Sequence, residues 1–273
     1  MTSHERTDDG RGTGETGTAP VAASATEKSA ALAASDSPAV APVAPPAAAA
    51  VFGDRLPLAE QFAAILADTG VSHGLIGPRE VPILWDRHIL NCAVAHAAFP
   101  EGVAVVDVGS GAGLPGLALA IVRPDLHLHL VEPMLRRTTW LSTTIEQLGL
   151  DNGTVHRGRA EEFAGVLSAP FATARAVARI DKLARWTFPL LQDGGTLVAL
   201  KGGSAAEELD AEQKTLRKLG MTSARIETYG ADLLSVPTTT LQVTLGSRPT
   251  PKGRSKGAAR RAAKGKGTAR PTP

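Results

Sequence analysis

The sequence predicts an α/β fold in which a mostly parallel β-sheet has helices on both faces. Between residues 103 and 219, short apolar, β-branched runs alternate with stretches of helical length and periodicity, a pattern typical of parallel sheets. Two further strand-like runs follow with no helix between them, so we expect an antiparallel pair at one edge. Two helical patterns precede the first strand and predict a short helical extension.

Helix boundaries are indicated by single residues. Gly70 ends the first helical pattern, Pro78 suits the first turn of the second, and Gly149 closes the helix after the second strand. The predicted helices cover residues 56–69, 78–99, 114–122, 134–148, 160–167, 180–191 and 205–219. The predicted strands cover residues 103–108, 126–131, 154–156, 171–177, 196–200, 222–228 and 240–245.

Composition divides the chain into four parts. Residues 1–50 contain no aromatic residue, one Leu and three Val, so they bury too little apolar surface to fold and are predicted to be disordered. Residues 247–273 carry nine Lys or Arg and no acid, which predicts a disordered basic tail. Between them we expect a helical extension at residues 51–100 and the sheet domain at residues 101–246. Neither a membrane span nor a signal peptide is expected.

Charge is distributed unevenly along the chain. The net charge is +2, but the tail contributes +9, while residues 1–50 carry −3 and residues 51–246 carry −4. Overall basicity is therefore no argument for a nucleic-acid-binding fold. The tail could bind phosphates without sequence preference or could keep the protein soluble, and charge alone does not decide. The single cysteine, Cys92, excludes an intrachain disulfide and a multi-cysteine zinc site, which suits the cytoplasm.

The strongest functional signal is the glycine-rich turn after the first predicted strand. Residues 105–116 read V-V-D-V-G-S-G-A-G-L-P-G, which places Gly109, Gly111, Gly113 and Gly116 between a strand and a helix. Glycines at such a turn let backbone N–H groups approach a bound ligand. The glycine spacing alone fits either a dinucleotide or S-adenosylmethionine.

Three features favour S-adenosylmethionine. Asp107 ends the strand, where a negative charge repels a pyrophosphate but suits the cationic ammonium and sulfonium groups of the methyl donor. The glycines begin earlier than in the dinucleotide pattern. Glu132 closes the second strand and can accept both ribose hydroxyls, although NAD enzymes use such an acid too. An NAD(P)-dependent oxidoreductase is the alternative, but the only tyrosine, Tyr229, has Asp232 and Leu233 where the lysine of a Tyr-x-x-x-Lys pair would fall.

A set of short motifs along the chain resembles one family closely. The motifs are Arg87-His88-Ile89-Leu90, Leu114-Pro115-Gly116, Arg136-Arg137, Trp140-Leu141, Arg159-Ala160-Glu161, Ala174-Arg175-Ala176-Val177-Ala178, Gly194-Gly195 and Ala199-Leu200-Lys201-Gly202. In this order they resemble the small-subunit rRNA guanine-N7 methyltransferases, also called glucose-inhibited division protein B, over roughly residues 55–246. The resemblance implies a Rossmann-like S-adenosylmethionine-dependent methyltransferase fold. It also implies that the chain methylates N7 of one guanine in 16S rRNA.

The resemblance assigns roles to individual residues. Gly109 and Leu114 would line the cofactor, Ala160 and Glu161 would hold its adenine end, and Arg175 would lie beside it across the site. The expected cofactor-binding residues are Gly109, Gly111, Gly113, Leu114, Glu132, Ala160, Glu161 and Arg175.

Two positions depart from the family pattern. Asn91-Cys92 stands where the family often has Asp-Ser, and Glu132-Pro133 stands where an Asp followed by Ser is common. Because Glu132 keeps the carboxylate, the ribose contact is expected to survive.

The implied reaction needs no general base, because N7 of neutral guanine carries a free lone pair. We therefore expect no catalytic acid–base residue and no metal, and we interpret Arg87, His88, Arg137 and Lys201 as ligands of the RNA substrate. The alternatives are a packed helix face for Arg87 and His88 and a solvated face for Arg137. A monomer acting on 16S rRNA or the small subunit is expected; a non-catalytic ribosome-associated RNA-binding protein is the other possibility.

Overall fold

The computed structural model describes residues 40–247, and the predictions for residues 1–39 and 248–273 lie outside that range. The strands are β1 Ala104–Val108, β2 His127–Glu132, β3 Gly153–Arg157, β4 Ala169–Arg175, β5 Leu191–Lys201, β6 Met221–Tyr229 and β7 Thr238–Leu245. They form one seven-stranded sheet in the order β3-β2-β1-β4-β5-β7-β6.

Strand direction decides where a ligand can bind. β1 to β5 run parallel, whereas β7 is antiparallel to both β5 and β6, which confirms the predicted edge pair. The carboxyl ends of β1, β2, β4 and β5 therefore lie along one edge, where open α/β sheets bind their ligands. Thr196 of β5 lies opposite Thr244 of β7, so the chain leaves β7 at the other edge.

Helices cover both faces of the sheet. The α-helices of four or more residues are α1 Pro46–Phe52, α2 Leu56–Ile65, α3 Gly116–Val122, α4 Leu135–Leu148, α5 Ile180–Thr187 and α6 Ala205–Leu219. The helix predicted at residues 78–99 is a series of 3-10, π and α turns from Pro78 to Ala98, with Pro82 inside its first turn. A proline there removes a helical N–H donor. No helix within residues 40–247 has the length and apolarity that crossing a membrane requires.

Two apolar cores flank the sheet. One includes Phe62, Leu84 and Leu117 and joins the extension, α3 and α4 to the sheet. The other includes Leu183 and Leu216 and joins α5 and α6 to the opposite face. Each fully buried side chain of this size contributes about 1.5–3 kcal/mol by leaving water. The extension is thus an integral part of the fold and packs on one face of the sheet together with α3 and α4.

The ordered chain begins earlier than predicted. Helix α1 starts at Pro46, inside the segment 1–50 that composition predicts to be disordered. Ala48 and Phe52 are buried, Phe52 packs edge-on against Trp85 at 6.5 Å between ring centroids, and the Trp85 indole N–H donates to the Pro42 carbonyl at 2.9 Å. A partner from elsewhere in the chain provides the apolar contacts that the Ala-rich segment lacks by itself.

Two predicted helices are shorter in the structure. The prediction for residues 160–167 is wrong beyond a 3-10 turn at Ala160–Phe163, because Ala164 is already extended, with a ψ of 122°, and Gly165 then takes a φ of +80°. Helix α5 ends at Thr187, and Leu191 already pairs with Ala169 in the sheet. β5 is correspondingly longer than predicted.

Candidate functional site

The glycine-rich turn lies directly after β1 and is fixed to β2. The N–H of Gly109 donates to the Val131 carbonyl at 2.8 Å, and the N–H of Gly113 donates to the Ser110 carbonyl at 2.7 Å. The N–H of Gly111 donates to the Glu132 carboxylate at 3.2 Å. The turn and the end of β2 therefore form one hydrogen-bonded unit.

The glycines of this turn are required for different reasons. Gly111 and Gly113 both have positive φ angles, of +52° and +76°. A Cβ on Gly113 would lie 2.4 Å from Leu117 Cδ1, whereas a Cβ on Gly111 would meet only the Gly109 carbonyl oxygen at 3.7 Å. Tight helix packing therefore restricts Gly113, while the space beside Gly111 stays open to a ligand.

Asp107 is a fully buried carboxylate beneath the turn. Its Oδ2 accepts the N–H of Gly116 at 3.1 Å, and its Oδ1 has no hydrogen-bond partner among the described residues. Burial raises the pKa of Asp107 to about 7, although the Gly116 N–H opposes the shift. An orphaned buried acceptor of this kind suits a site completed by a cationic ligand.

Glu132 is buried at the end of β2 and lies at the centre of the site. Its Oε2 accepts the N–H of Gly111, and its Oε1 accepts the N–H of Met134 at 3.1 Å. Arg137 Nη1 lies 3.6 Å from Oε2. Arg137, interpreted from sequence as an RNA ligand, thus lies beside the acid at the cofactor turn. Each carboxylate oxygen can still accept a further hydrogen bond.

An apolar cavity of about 240 Å³ opens between the ends of β1 and β2. Its walls include Gly109, Val131, Ala160, Glu161 and Trp186. The structure therefore brings together Gly109, Ala160 and Glu161, which the resemblance implied, and adds Trp186. Apolar walls with few polar groups suit a planar heterocycle. Leu114, by contrast, is buried in the core beneath the turn.

Arg175 ends β4 and is held by the extension. Its Nη2 lies 3.2 Å from His88 Nδ1, and its Nη1 donates to the Arg87 carbonyl at 3.3 Å. His88 Nε2 lies 2.8 Å from the Glu80 carboxylate. Arg87 and His88 therefore differ: His88 is half-buried, whereas the Arg87 side chain is 67% exposed.

A larger cavity of about 740 Å³ lies beside Arg175. It is lined by the ends of β4 and β5, by the extension and by the β6–β7 connection, and its lining residues include Arg87, Asn91, Arg175, Lys201 and Gly202. Most of these cationic side chains already contact other groups of the protein. Lys201, expected to contact RNA, has a largely buried side chain whose Nζ donates to Glu208 at 2.9 Å and to the Ala178 carbonyl at 3.0 Å.

Comparison with known proteins decides the family. The rRNA small subunit methyltransferase G family model matches residues 55–235.

The chain belongs to this family.

Relatives with the name ribosomal RNA small subunit methyltransferase G occur in several bacteria. The protein of Pseudarthrobacter chlorophenolicus is 52% identical over 197 residues, covering 72% of this chain and 91% of that protein. The protein of Streptomyces coelicolor is 53% identical over 209 residues, covering 76% and 87%. Among solved structures, a putative S-adenosyl-L-methionine-dependent methyltransferase from Methanococcus maripaludis is 14% identical, with a TM-score of 0.47, covering 66% of this chain and 91% of that one.

Sequence reasoning about this methyltransferase G chain missed several residues of the site. Glu80 and Glu208 hold His88 and Lys201, yet no short motif marks them, because the two partners of each pair lie in different secondary-structure elements. Trp186 was not among the predicted site residues and lines the small cavity. Tyr229, the remaining feature of the oxidoreductase alternative, accepts a hydrogen bond from Gln242 within the antiparallel pair.

Proposed function

We propose that this chain transfers a methyl group from S-adenosylmethionine to N7 of a guanine in the 16S rRNA of the small ribosomal subunit. The observation that carries the proposal is the joining of Asp107, the glycine turn and Glu132 into one site at the carboxyl edge of the sheet. The match to the rRNA small subunit methyltransferase G family supports the same conclusion.

The residues present fit S-adenosylmethionine. When bound, this cofactor supplies an electrophilic methyl group on a cationic sulfonium. Asp107 provides a buried negative charge with an unpaired oxygen, Glu132 provides acceptors for the ribose, and the 240 Å³ cavity provides apolar walls for the adenine. The proposed cofactor-binding residues are Gly109, Gly111, Gly113, Leu114, Glu132, Ala160, Glu161 and Arg175.

The chemistry requires alignment more than proton transfer. Guanine N7 attacks with a lone pair that is free at neutral pH, so the chain has to orient N7, methyl and sulfur and exclude water. His88 is committed to hydrogen bonds with Arg175 and Glu80 and is not free to act as a base. No cluster of three or more metal-ligating side chains exists among residues 40–247. We therefore assign no catalytic base.

The RNA is proposed to enter from the 740 Å³ cavity. Arg87 is the most exposed of the predicted RNA ligands, and guanidinium groups suit phosphate oxygens. His88, Arg137 and Lys201 act chiefly within the protein in this proposal, because each already contacts a carboxylate. A ribosomal RNA substrate supports a cytoplasmic location.

Mass mapping of methylated guanosine tests the proposal. Small subunits from a strain that lacks the endogenous methyltransferase are incubated with the protein and S-adenosylmethionine, and the modified nucleotide is located in 16S rRNA. We expect one new N7-methylguanosine, and none with Gly111→Asp. Thermal shifts with S-adenosylmethionine, S-adenosylhomocysteine and NAD form a second test. Stabilisation by NAD alone, or unmodified 16S rRNA, would contradict the proposal.

A further inference from the structure

We propose that Glu80 is a positioning residue that fixes the Arg175 guanidinium through His88. This inference rests on the proposed function in one respect, namely that Arg175 belongs to the methyl-transfer site. It goes further by giving a role to an acid that neither the motifs nor the family match assigns. Glu80 lies in the extension, and Arg175 is the last residue of β4.

The three side chains form one continuous chain of hydrogen bonds. Glu80 Oε2 lies 2.8 Å from His88 Nε2, and His88 Nδ1 lies 3.2 Å from Arg175 Nη2. A second bond, from Arg175 Nη1 to the Arg87 carbonyl at 3.3 Å, fixes the guanidinium plane. The link from His88 to Arg175 joins residues 87 positions apart, so the complete chain of bonds exists only in the folded protein.

Arg175 dictates the tautomer of His88. A guanidinium has only donors, so Nδ1 of the imidazole must accept. The ring proton of neutral His88 then lies on Nε2, where it is donated to the Glu80 carboxylate. Glu80 therefore selects the one tautomer that can hold Arg175, in the way that an acid orients the imidazole of other histidine-containing sites.

Protonation of His88 would break this arrangement. The imidazolium presents a donor at Nδ1, which would face the donors and the positive charge of Arg175. The charged groups facing His88 are Glu80, Arg87 and Arg175, and burial, aided by the two arginines, lowers the pKa of His88 against the opposing effect of Glu80. His88 is therefore uncharged at neutral pH. Its Nδ1 can then accept the hydrogen bond from Arg175.

The position of Arg175 connects this chain of bonds to function. Arg175 lines the 740 Å³ cavity proposed for the RNA and is close enough to Asp107 to interact with it electrostatically. A guanidinium displaced at this point would disturb alignment of the reacting atoms, where misplacement by about 1 Å can cost roughly 100-fold in rate. Loss of Glu80 should therefore reduce the chemical step more than cofactor binding.

Imidazole nitrogen-15 shifts of His88 give a readout that is independent of activity. In the wild-type chain we expect the Nε2–H tautomer. In Glu80→Ala both tautomers should be populated. Glu80→Gln should keep the wild-type tautomer, because its amide oxygen can still accept from Nε2. Glu60→Gln, an exposed substitution in α2, serves as the matched control.

Single-turnover methyl transfer at saturating S-adenosylmethionine and RNA supplies the second readout. We expect Glu80→Ala to lower the rate roughly 10- to 100-fold with little change in cofactor affinity, and Glu80→Gln to restore much of it. The acid limb of the rate profile should move to lower pH in Glu80→Ala, because the acid that raises the pKa of His88 is gone.

The outcomes separate this inference from the proposed function. An inactive wild-type protein would overturn the proposed function, while the tautomer comparison would still test the Glu80–His88–Arg175 connection. An active wild type with an unchanged tautomer and acid limb in Glu80→Ala would overturn the positioning role alone. If Glu80→Ala and Glu80→Gln lost the same rate and the acid limb did not move, Glu80 would be only a structural contact. That result would also overturn the positioning role.

Discussion

Arg137 and Glu132 form an ion pair beside the glycine turn, with Arg137 Nη1 3.6 Å from Glu132 Oε2. The Glu132 side chain is 2% exposed, and both of its oxygens also accept backbone N–H groups. The acid that is proposed to hold the ribose is therefore set in place before the cofactor arrives. Preorganised acceptors of this kind lose little entropy when a ligand binds.

Glu132→Ala should weaken S-adenosylmethionine binding by about 1–3 kcal/mol, the usual cost of losing charge-assisted hydrogen bonds. Glu132→Gln should lose nearly as much. Its amide NH₂ must face either the Gly111 or the Met134 N–H, and two donors then oppose each other. Titration calorimetry measures both, with exposed Glu146→Gln in α4 as the control. A Gln variant with wild-type affinity would contradict this geometry.

Alanine at Gly113 should destabilise the fold more than alanine at Gly111. Both glycines have positive φ, so the backbone strain is similar and only packing differs. A Cβ on Gly113 would overlap Leu117, and such overpacking costs about 1–3 kcal/mol. Urea unfolding of the two variants measures the difference. Equal free energies of unfolding for the two variants would show that α3 can shift to accommodate the added Cβ at little cost.

Gly111→Asp should abolish S-adenosylmethionine binding but should have a much smaller effect on the stability of the fold. The space beside Gly111 is open, and an added Cβ meets only the Gly109 carbonyl oxygen at 3.7 Å, but the new carboxylate places a second anion beside Glu132 and fills the ligand's path. Calorimetry and unfolding on the same preparation separate the two effects. Undiminished affinity would contradict the assignment of the turn to the cofactor.

Affinity for S-adenosylmethionine should rise with pH through about 7, because the cationic cofactor favours ionised Asp107, whose pKa burial raises to about 7. Calorimetry in buffers of different ionisation heat should detect proton release, and Asp107→Asn should abolish it. The effect on stability has the opposite sign. Folded Asp107 holds its proton to higher pH than the unfolded chain does, so its contribution to stability falls as pH rises from about 3.8 to 7.

Lys201→Met should lower stability more than it lowers RNA affinity. The substitution leaves the largely buried Glu208 carboxylate without its ammonium partner, at a cost of about 1–3 kcal/mol. Lys214→Met, at an exposed position of α6, is the matched control. Thermal unfolding and RNA filter binding measure the two properties. A selective loss of RNA affinity would restore Lys201 to the RNA-contacting set.

Removal of residues 248–273 should leave S-adenosylmethionine affinity unchanged, because every proposed cofactor residue precedes the tail. RNA binding should weaken and depend less steeply on salt, since the nine cations of the tail can displace counterions from phosphates. The methylated guanine should stay the same, because phosphate contacts do not read sequence. An unchanged salt slope would mean that the tail only keeps the protein soluble.

The sequence by itself determined the alternation of strands and helices, the glycine turn and the acids that close β1 and β2. These features are local: periodicity, β-branching and glycine spacing act over a few residues, and Asp107 and Glu132 are placed by the strands that they end. The family resemblance is also visible in the sequence, because its motifs are short runs of consecutive residues. The family match at residues 55–235 agrees with it.

Tertiary structure decided which charged side chains are free. Lys201 is the last residue of β5 and Arg137 lies in α4 shortly after β2, yet Glu208 and Glu132 pair with them in the folded chain. Glu80 meets Arg175 only through His88. The partners in these pairs lie in different secondary-structure elements, so their contacts depend on how those elements pack and on burial, which no local pattern contains. The same physics orders the Ala-rich start of α1, whose apolar partners lie elsewhere in the chain.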